Sequence, residues 1–382
     1  VGSRLPRTGV TIFSVMSALA QAHGAVNLGQ GFPDFDCDPT LIDAVTRAMR
    51  EGHNQYPPMP GAAALREAVA GKIETLYGRR YDPGSEITIT AGATQGILTA
   101  VLAVVHPGDE VIVLEPCYDS YQPAIELAGG TVVRVPLAPA GLRPDFGPIA
   151  AALTPRTRAL IINTPHNPSA TVWSAADMQR LAELLRPTDA LLISDEVYEH
   201  MVFDGARHES VSRHAELAAR SLVVSSFGKT FHVTGWKVGY VAAPAALTAE
   251  FRKVHQFNVF TVNTPMQHAL AAYMADPAPY LGLADFYAAK RDLFRAGLAR
   301  TPLRLLPSEG SYFQCVDYSG LAAHRERSEG DFCRWLTVEA GVAAIPLSAF
   351  YDGGREQCTV RFCFAKRDDT LHQALERLCA AL

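Results

Sequence analysis

Four apolar runs of this sequence each end in side chains able to do nucleophilic, acid–base or anion-binding chemistry. Val111 to Leu114 leads into Glu115, Pro116, Cys117 and Tyr118, and Ile161-Ile162 leads into Asn163, His166, Asn167 and Pro168. Leu192-Ile193 is followed by Ser194, Asp195 and Tyr198, and Val223-Val224 by Ser225, Ser226, Gly228, Lys229 and Thr230. Singly, each has a plain explanation. Asp195 could cap a helix, Lys229 could be a solvated loop lysine, and Tyr118 could pack in a core. Together they gather a ring, amides, a carboxylate, a phenol, hydroxyls and an amine at the ends of apolar runs.

Those runs read as strands. The segments 109–115, 131–137, 158–164, 189–195 and 220–226 are short and rich in Val, Ile and Leu, as fully buried strands are. Helical patterns separate them. From Ser174 to Arg186, Ser174 and Asp177 fit a capping box, Met178, Leu181, Leu184 and Leu185 recur at helical spacing, and Pro187 marks the stop. This alternation predicts an α/β fold with a mostly parallel central sheet between helices. In such sheets ligands gather beyond the carboxyl ends of the strands, where the polar residues stand.

The last hundred residues predict a smaller α+β domain. A helix over 285–298 is followed by strands over 311–317 and 358–365, with a helix near 332–340 between them. The expected organisation is an N-terminal segment, 1–38, packing with the small domain, a large domain over 39–275, and a small C-terminal domain over 276–382.

An anion site is expected where Thr88-Ile89-Thr90 enters Ala91-Gly92-Ala93-Thr94 ahead of a helix over 96–105. Small residues at a helix start leave N–H groups free for a phosphate, and Ala93 and Thr94 stand there. Ser226 could add a hydroxyl and Lys237 a charge. Two nucleotide motifs fail. Gly228-Lys229-Thr230 lacks the first P-loop glycine, because Val223 stands in its place. Gly29-Gln30-Gly31 has Asp34 where a dinucleotide fingerprint needs its third glycine.

The 382 residues include 48% hydrophobic and 19% charged positions, a globular composition. A net charge of -5 gives no reason to expect nucleic acid or an anionic membrane as partner. The longest strongly apolar run, 97–105, falls far short of the about 20 residues a spanning helix needs. The charged start, Val1 to Arg7, is followed by no apolar stretch of the kind a secretory signal carries. Seven scattered cysteines form no C-x-x-C pair, so no metal site is expected and a reducing cytoplasm is.

Seven motifs now stand in order: NLGQGFPDF (27–35), NQYPPMPGAAALREAV (54–69), NTPHNP (163–168), SDEVYEH (194–200), SSFGKT (225–230), GWKVGY (235–240) and VRFCFA (360–365). In this the chain resembles the pyridoxal-phosphate (PLP) aminotransferases of fold type I, class I/II, over essentially its whole length. It is most similar to the methionine aminotransferase and kynurenine–oxoglutarate transaminase subgroup.

The resemblance implies a PLP enzyme in which Lys229 forms a Schiff base with the cofactor aldehyde and, once freed, shuttles a proton. Asp195 would keep the pyridine nitrogen protonated, Tyr198 and Asn167 would donate to the 3′-oxygen, and Tyr118 would stack on the ring. Ala93, Thr94, Ser226 and Lys237 would hold the phosphate, with Tyr56 reaching over from a second subunit of a homodimer. Arg361, otherwise read as a strand-surface arginine, would grip the substrate carboxylate, which Asn167 and the backbone of Gly31 would share. Phe13 and Phe260, the latter from the partner chain, would wall a pocket for apolar or aromatic amino acids.

The expected activity moves the amino group of methionine or a similar amino acid to a 2-oxo acid. A cysteine-conjugate β-lyase on the same fold is the alternative. A non-catalytic sensor domain of a transcription regulator is less favoured, since its basic DNA-binding appendage is missing from this sequence. Two departures stand out. The family's usual Asn-Pro-x-Gly reads Asn167-Pro168-Ser169-Ala170, which leaves that loop's conformation open. Thr261 stands where some kynurenine-transaminating relatives carry His, so kynurenine preference does not follow.

Overall fold

The computed structural model describes residues 2–382. Its centre is a seven-stranded sheet of β1 (Ile87–Thr90), β2 (Glu110–Glu115), β3 (Thr131–Pro136), β4 (Thr157–Asn163), β5 (Leu191–Asp195), β6 (Ser221–Ser226) and β7 (Gly239–Ala242). The spatial order is β1-β7-β6-β5-β4-β2-β3. Only β7 runs against the others, pairing antiparallel with both β6 and β1. The α/β reading with a mostly parallel sheet therefore holds.

Burial on both faces explains the near-continuous apolar strands. Ile112, Leu160 and Leu192 pack into one core, while Val111, Val113, Ile161 and Ile193 pack into another on the opposite face. The predicted helix after Ser174 forms over Ala175–Leu185, with both halves of the Ser174–Asp177 capping box present.

One boundary differs from expectation in a way that matters. The helix expected from residue 96 begins at Gly92 and runs to Val104. Gly92, Ala93 and Thr94 are thus its first turn, where N–H groups have no intrahelical acceptor. Gly92 can take that position because its φ of 75° suits a residue without a side chain.

The C-terminal part carries helix Leu283–Leu298 and a four-stranded antiparallel sheet. In it β8 (Phe313–Asp317) pairs with β9 (Thr359–Cys363), and Cys315 stands opposite Arg361. Val26–Asn27 pairs in parallel with Val342–Ala343, and helix Ile12–Ala22 packs on helix Glu329–Val338, so the N-terminal segment lies against this part. Among the described residues, no helix is long and apolar enough to cross a membrane.

Candidate active site

The strand ends open onto one cavity of about 430 Å³, within the range of small-molecule sites. In register, Asn163 of β4 is the neighbour of Asp195 of β5, and Ser226 of β6 is the neighbour of Gly239 of β7. Asn163 ties two of these ends together. Its amide donates to the Asp195 carbonyl at 2.9 Å, and its oxygen accepts from the Asn167 N–H at 2.7 Å.

Lys229 sits in a single helical turn, Phe227–Thr230, directly after β6. Its side chain touches the cavity but is otherwise enclosed by protein. Nζ donates to the Gly31 carbonyl at 2.9 Å and to the Tyr312 hydroxyl at 2.8 Å. Burial draws its pKa down to about 8, and the Arg361 guanidinium pushes the same way. A lysine so placed is far more often a free amine near neutral pH than one in water.

Asp195 is 4% exposed and accepts from the Tyr121 hydroxyl at 2.6 Å. Burial pushes its carboxyl up to about 6. It belongs to none of the ion pairs among the described residues, so a buried acid here lacks a cation. Tyr198, also buried, sets its ring edge-on to Tyr312 at 5.1 Å.

Ala93 and Thr94, at the start of the Gly92–Val104 helix, line the cavity with Ser226 and Lys237. A Cβ on Gly92 would lie 3.4 Å from Lys237 Nζ, so the ammonium stands close over the helix start. Helix N–H groups, a hydroxyl and an ammonium together make an anion cradle.

Arg361 is no surface arginine. It is 1% exposed and its guanidinium lies 4.0 Å from the Phe313 ring centroid. Nη1 donates to Asn167 Oδ1 at 2.6 Å and Nη2 to the Gly29 carbonyl at 3.0 Å, while Nε is buried with no partner. Phe13, Gly31 and Tyr118 complete the expected lining. Ala170 takes the family's glycine position with a φ of 61°, so the loop adopts a left-handed turn despite its Cβ and still delivers Asn167 to the site. That conformation costs an alanine about 1 kcal/mol.

Tyr56 and Phe260 are not brought into the cavity by their own chain. Tyr56 is 82% exposed and packs edge-on against Phe260, itself 41% exposed, at 5.5 Å between centroids. Sequence reasoning also missed four groups. Tyr121 follows Tyr118 by one helical turn, a spacing that could have drawn attention to it. Tyr312 falls inside the strand expected over 311–317, where nothing singles it out. Glu199 lies within the SDEVYEH motif but nothing local marks its partner Lys72, which it meets at 2.6 Å behind the site.

The residues fit a pyridine cofactor carrying an aldehyde and a phosphate. An uncompensated buried carboxylate suits a ring N–H, the cradle suits a phosphate, and an enclosed amine suits an aldehyde. The fold and these groups together define a PLP-dependent aminotransferase. The model of the family described as aminotransferase class I and II matches residues 24–378, and the chain belongs to that family.

Among its relatives is the methionine aminotransferase of Escherichia coli K12, 52% identical over 98% of this chain and 97% of its own. A probable N-succinyldiaminopimelate aminotransferase of Mycobacterium tuberculosis is 44% identical over 98% of this chain and 97% of its own. The crystal structure of an E. coli protein with a methionine aminotransferase function superposes with a TM-score of 0.97. It shares 51% identity and covers 100% of this chain and 99% of its own. The chain is thus a PLP-dependent transaminase acting on amino acids and 2-oxo acids.

Proposed function

We propose that the preferred amino donor is methionine or a similar apolar or aromatic amino acid, and that the residues above divide the work as follows. The bound cofactor supplies an electron sink for the bond broken at the substrate Cα. Lys229 would hold it through Nζ, and Asp195 would keep a proton on its ring nitrogen. Tyr198 and Asn167 would donate to its ring oxygen, Tyr118 would stack on its face, and Ala93, Thr94, Ser226 and Lys237 would hold its phosphate.

Arg361 takes the substrate α-carboxylate in this reading, with Asn167 and Gly31 alongside. Its free Nε and planar fork suit a bidentate grip that Lys could not reproduce. That grip orients the Cα–H bond, and Lys229 Nζ then removes the proton. A pKa near 8 makes Nζ a competent base close to neutral pH. Tyr312 and the Gly31 carbonyl hold Nζ when it is free.

The observation that carries the apolar preference is the remaining wall: Phe13, Phe32, Ile97, Val197 and Phe313 line the cavity. The similarity to the E. coli methionine aminotransferase supports the same reading. A homodimer would bring the exposed Tyr56–Phe260 pair of one copy to the cavity of the other. Division into a large domain over 39–275, a small one over 276–382 and an N-terminal segment over 1–38 remains our assignment. So does a cytoplasmic location, which the seven unpaired cysteines support.

The test is an absorbance spectrum with product analysis. The holoenzyme should show a visible, borohydride-bleachable band that methionine discharges, yielding the 2-oxo acid of methionine. Lys229→Ala should lower turnover at least about a thousandfold, in line with losing both nucleophile and base. Wild-type turnover by that variant would refute the assignment. Pyruvate and ammonia from a cysteine conjugate, in place of transfer, would support the lyase.

A further inference from the structure

The cavity wall carries three cations, Lys229, Lys237 and Arg361, and two carboxylates, Asp195 and Asp119. In the roles proposed above, four of these five charges are taken. Lys229 and Asp195 face the cofactor's reactive group and ring nitrogen, Lys237 its phosphate, and Arg361 the substrate α-carboxylate. Asp119 is left over. It follows the stacking ring of Tyr118, forms no ion pair among the described residues, and lines the same cavity as Arg361. Asp119 is exposed, so it stands at the solvent side of that cavity rather than in its depth.

We propose that Asp119 is a specificity-determining residue whose carboxylate disfavours substrates with a second carboxylate, so that amino donor and amino acceptor alike are monocarboxylic. This rests on the reading in which Arg361 grips the α-carboxylate. Once that grip is made, a side-chain carboxylate finds no fourth cation and meets Asp119 instead. Tyr56 and Phe260, assigned to reach in from a second copy, are uncharged. Two like charges several ångströms apart in a partly wet cavity oppose each other by roughly tenfold in an equilibrium constant. Because the donor and the acceptor occupy the same site in turn, the restriction applies to both half-reactions. Glutamate and 2-oxoglutarate would therefore be poor substrates, as would an N-succinylated diaminopimelate, whose distal end carries further carboxylates.

The experiment measures the donor half-reaction on the holoenzyme by the loss of its visible band, with methionine and with glutamate, and the acceptor half-reaction by the return of that band, with the 2-oxo acid of methionine and with 2-oxoglutarate. In parallel, calorimetry gives the affinities of two unreactive analogues, 4-(methylthio)butanoate and glutarate. The wild type should favour the monocarboxylic member of each pair. Asp119→Asn should narrow these preferences about tenfold, and Asp119→Ser, which leaves no amide to substitute for the acid, should do the same. Preferences unchanged within twofold in both variants would overturn the role of Asp119. A wild type that takes glutamate as readily as methionine would overturn the charge restriction and leave the transaminase reading standing. A band that methionine does not discharge would overturn the underlying reading itself.

Discussion

The turn after β5 has two faces, and they treat charge in opposite ways. Asp195 and Tyr198 point to the cavity, while Glu196 and Glu199 point behind it. In front, Asp195 has no ion pair, and Arg361 keeps a buried Nε without a partner. Behind, Glu199 accepts from Lys72 at 2.6 Å, Ser225 at 2.6 Å and Tyr240 at 2.9 Å, and from Tyr77 as well. Burial alone would raise its pKa, yet the Lys72 ammonium and these donors hold it well below the usual carboxylate range. Glu196 accepts from Ser194 at 2.8 Å and the Val211 N–H at 3.1 Å, with His208 2.8 Å away. The rear carboxylates are saturated and the front charges are not. Unpaired charge in front suits groups that arrive with a ligand, and saturated charge behind keeps the turn from moving to meet them.

The contrast breaks most sharply at Glu199. Glu199→Ala strands the Lys72 ammonium, 4% exposed, without its counter-charge and should destabilise the protein by about 3–5 kcal/mol. Denaturant unfolding would measure this, and a loss below about 1 kcal/mol would mean the cluster is not the scaffold described.

In front the sign should reverse. Asp195 has a folded pKa of about 6 against an ordinary value of 3.8, so ionising it opposes folding of the cofactor-free protein. The favourable protonated state is fully present below pH 3.8 and is lost as pH rises through 6. Asp195→Asn should therefore stabilise the cofactor-free protein by about 2–3 kcal/mol near pH 7, with the gain vanishing toward pH 4. In the role proposed for Asp195, the same change should weaken cofactor binding, because the ring nitrogen would lose its anion. Equal stability of variant and wild type at pH 7 would show that Asp195 is better compensated than its contacts indicate.

The smallest effect sharpens the rear face. Ser194→Ala removes one donor from Glu196 but leaves the others, so about 1 kcal/mol should be lost. A much larger loss would make the cluster more cooperative than a sum of its bonds.

Much of the front was legible because chemistry-bearing residues follow apolar runs at short range. Asp195 and Lys229 stand out against the Leu and Val that precede them, and the seven motifs fix their order. Arg361 was not legible from its surroundings. An arginine within Thr359–Cys363 reads as exposed, and only the pairing of β9 between Phe313–Asp317 and Ile345–Pro346 encloses it. The rear cluster was not legible as a cluster: Ser194, Glu196, Glu199, Ser225 and Tyr240 lie within the quoted motifs, but nothing in the sequence joins them to Lys72. Lys72 and Glu199 lie on a helix and a turn far apart in sequence, and each alone looks like a solvated charge.

The sequence by itself determined the alternation of buried strands with amphipathic helices, and with it the edge at which polar side chains collect. Hydrophobic period and the residue after each strand are local properties that survive without coordinates. Only the tertiary structure decided which charges would find partners. Pairing depends on distance through space between segments far apart in the sequence, and burial then sets whether an unpaired charge is tolerable. Asp195 and Glu199 are the same chemistry four residues apart, and packing alone made one a site and the other a brace.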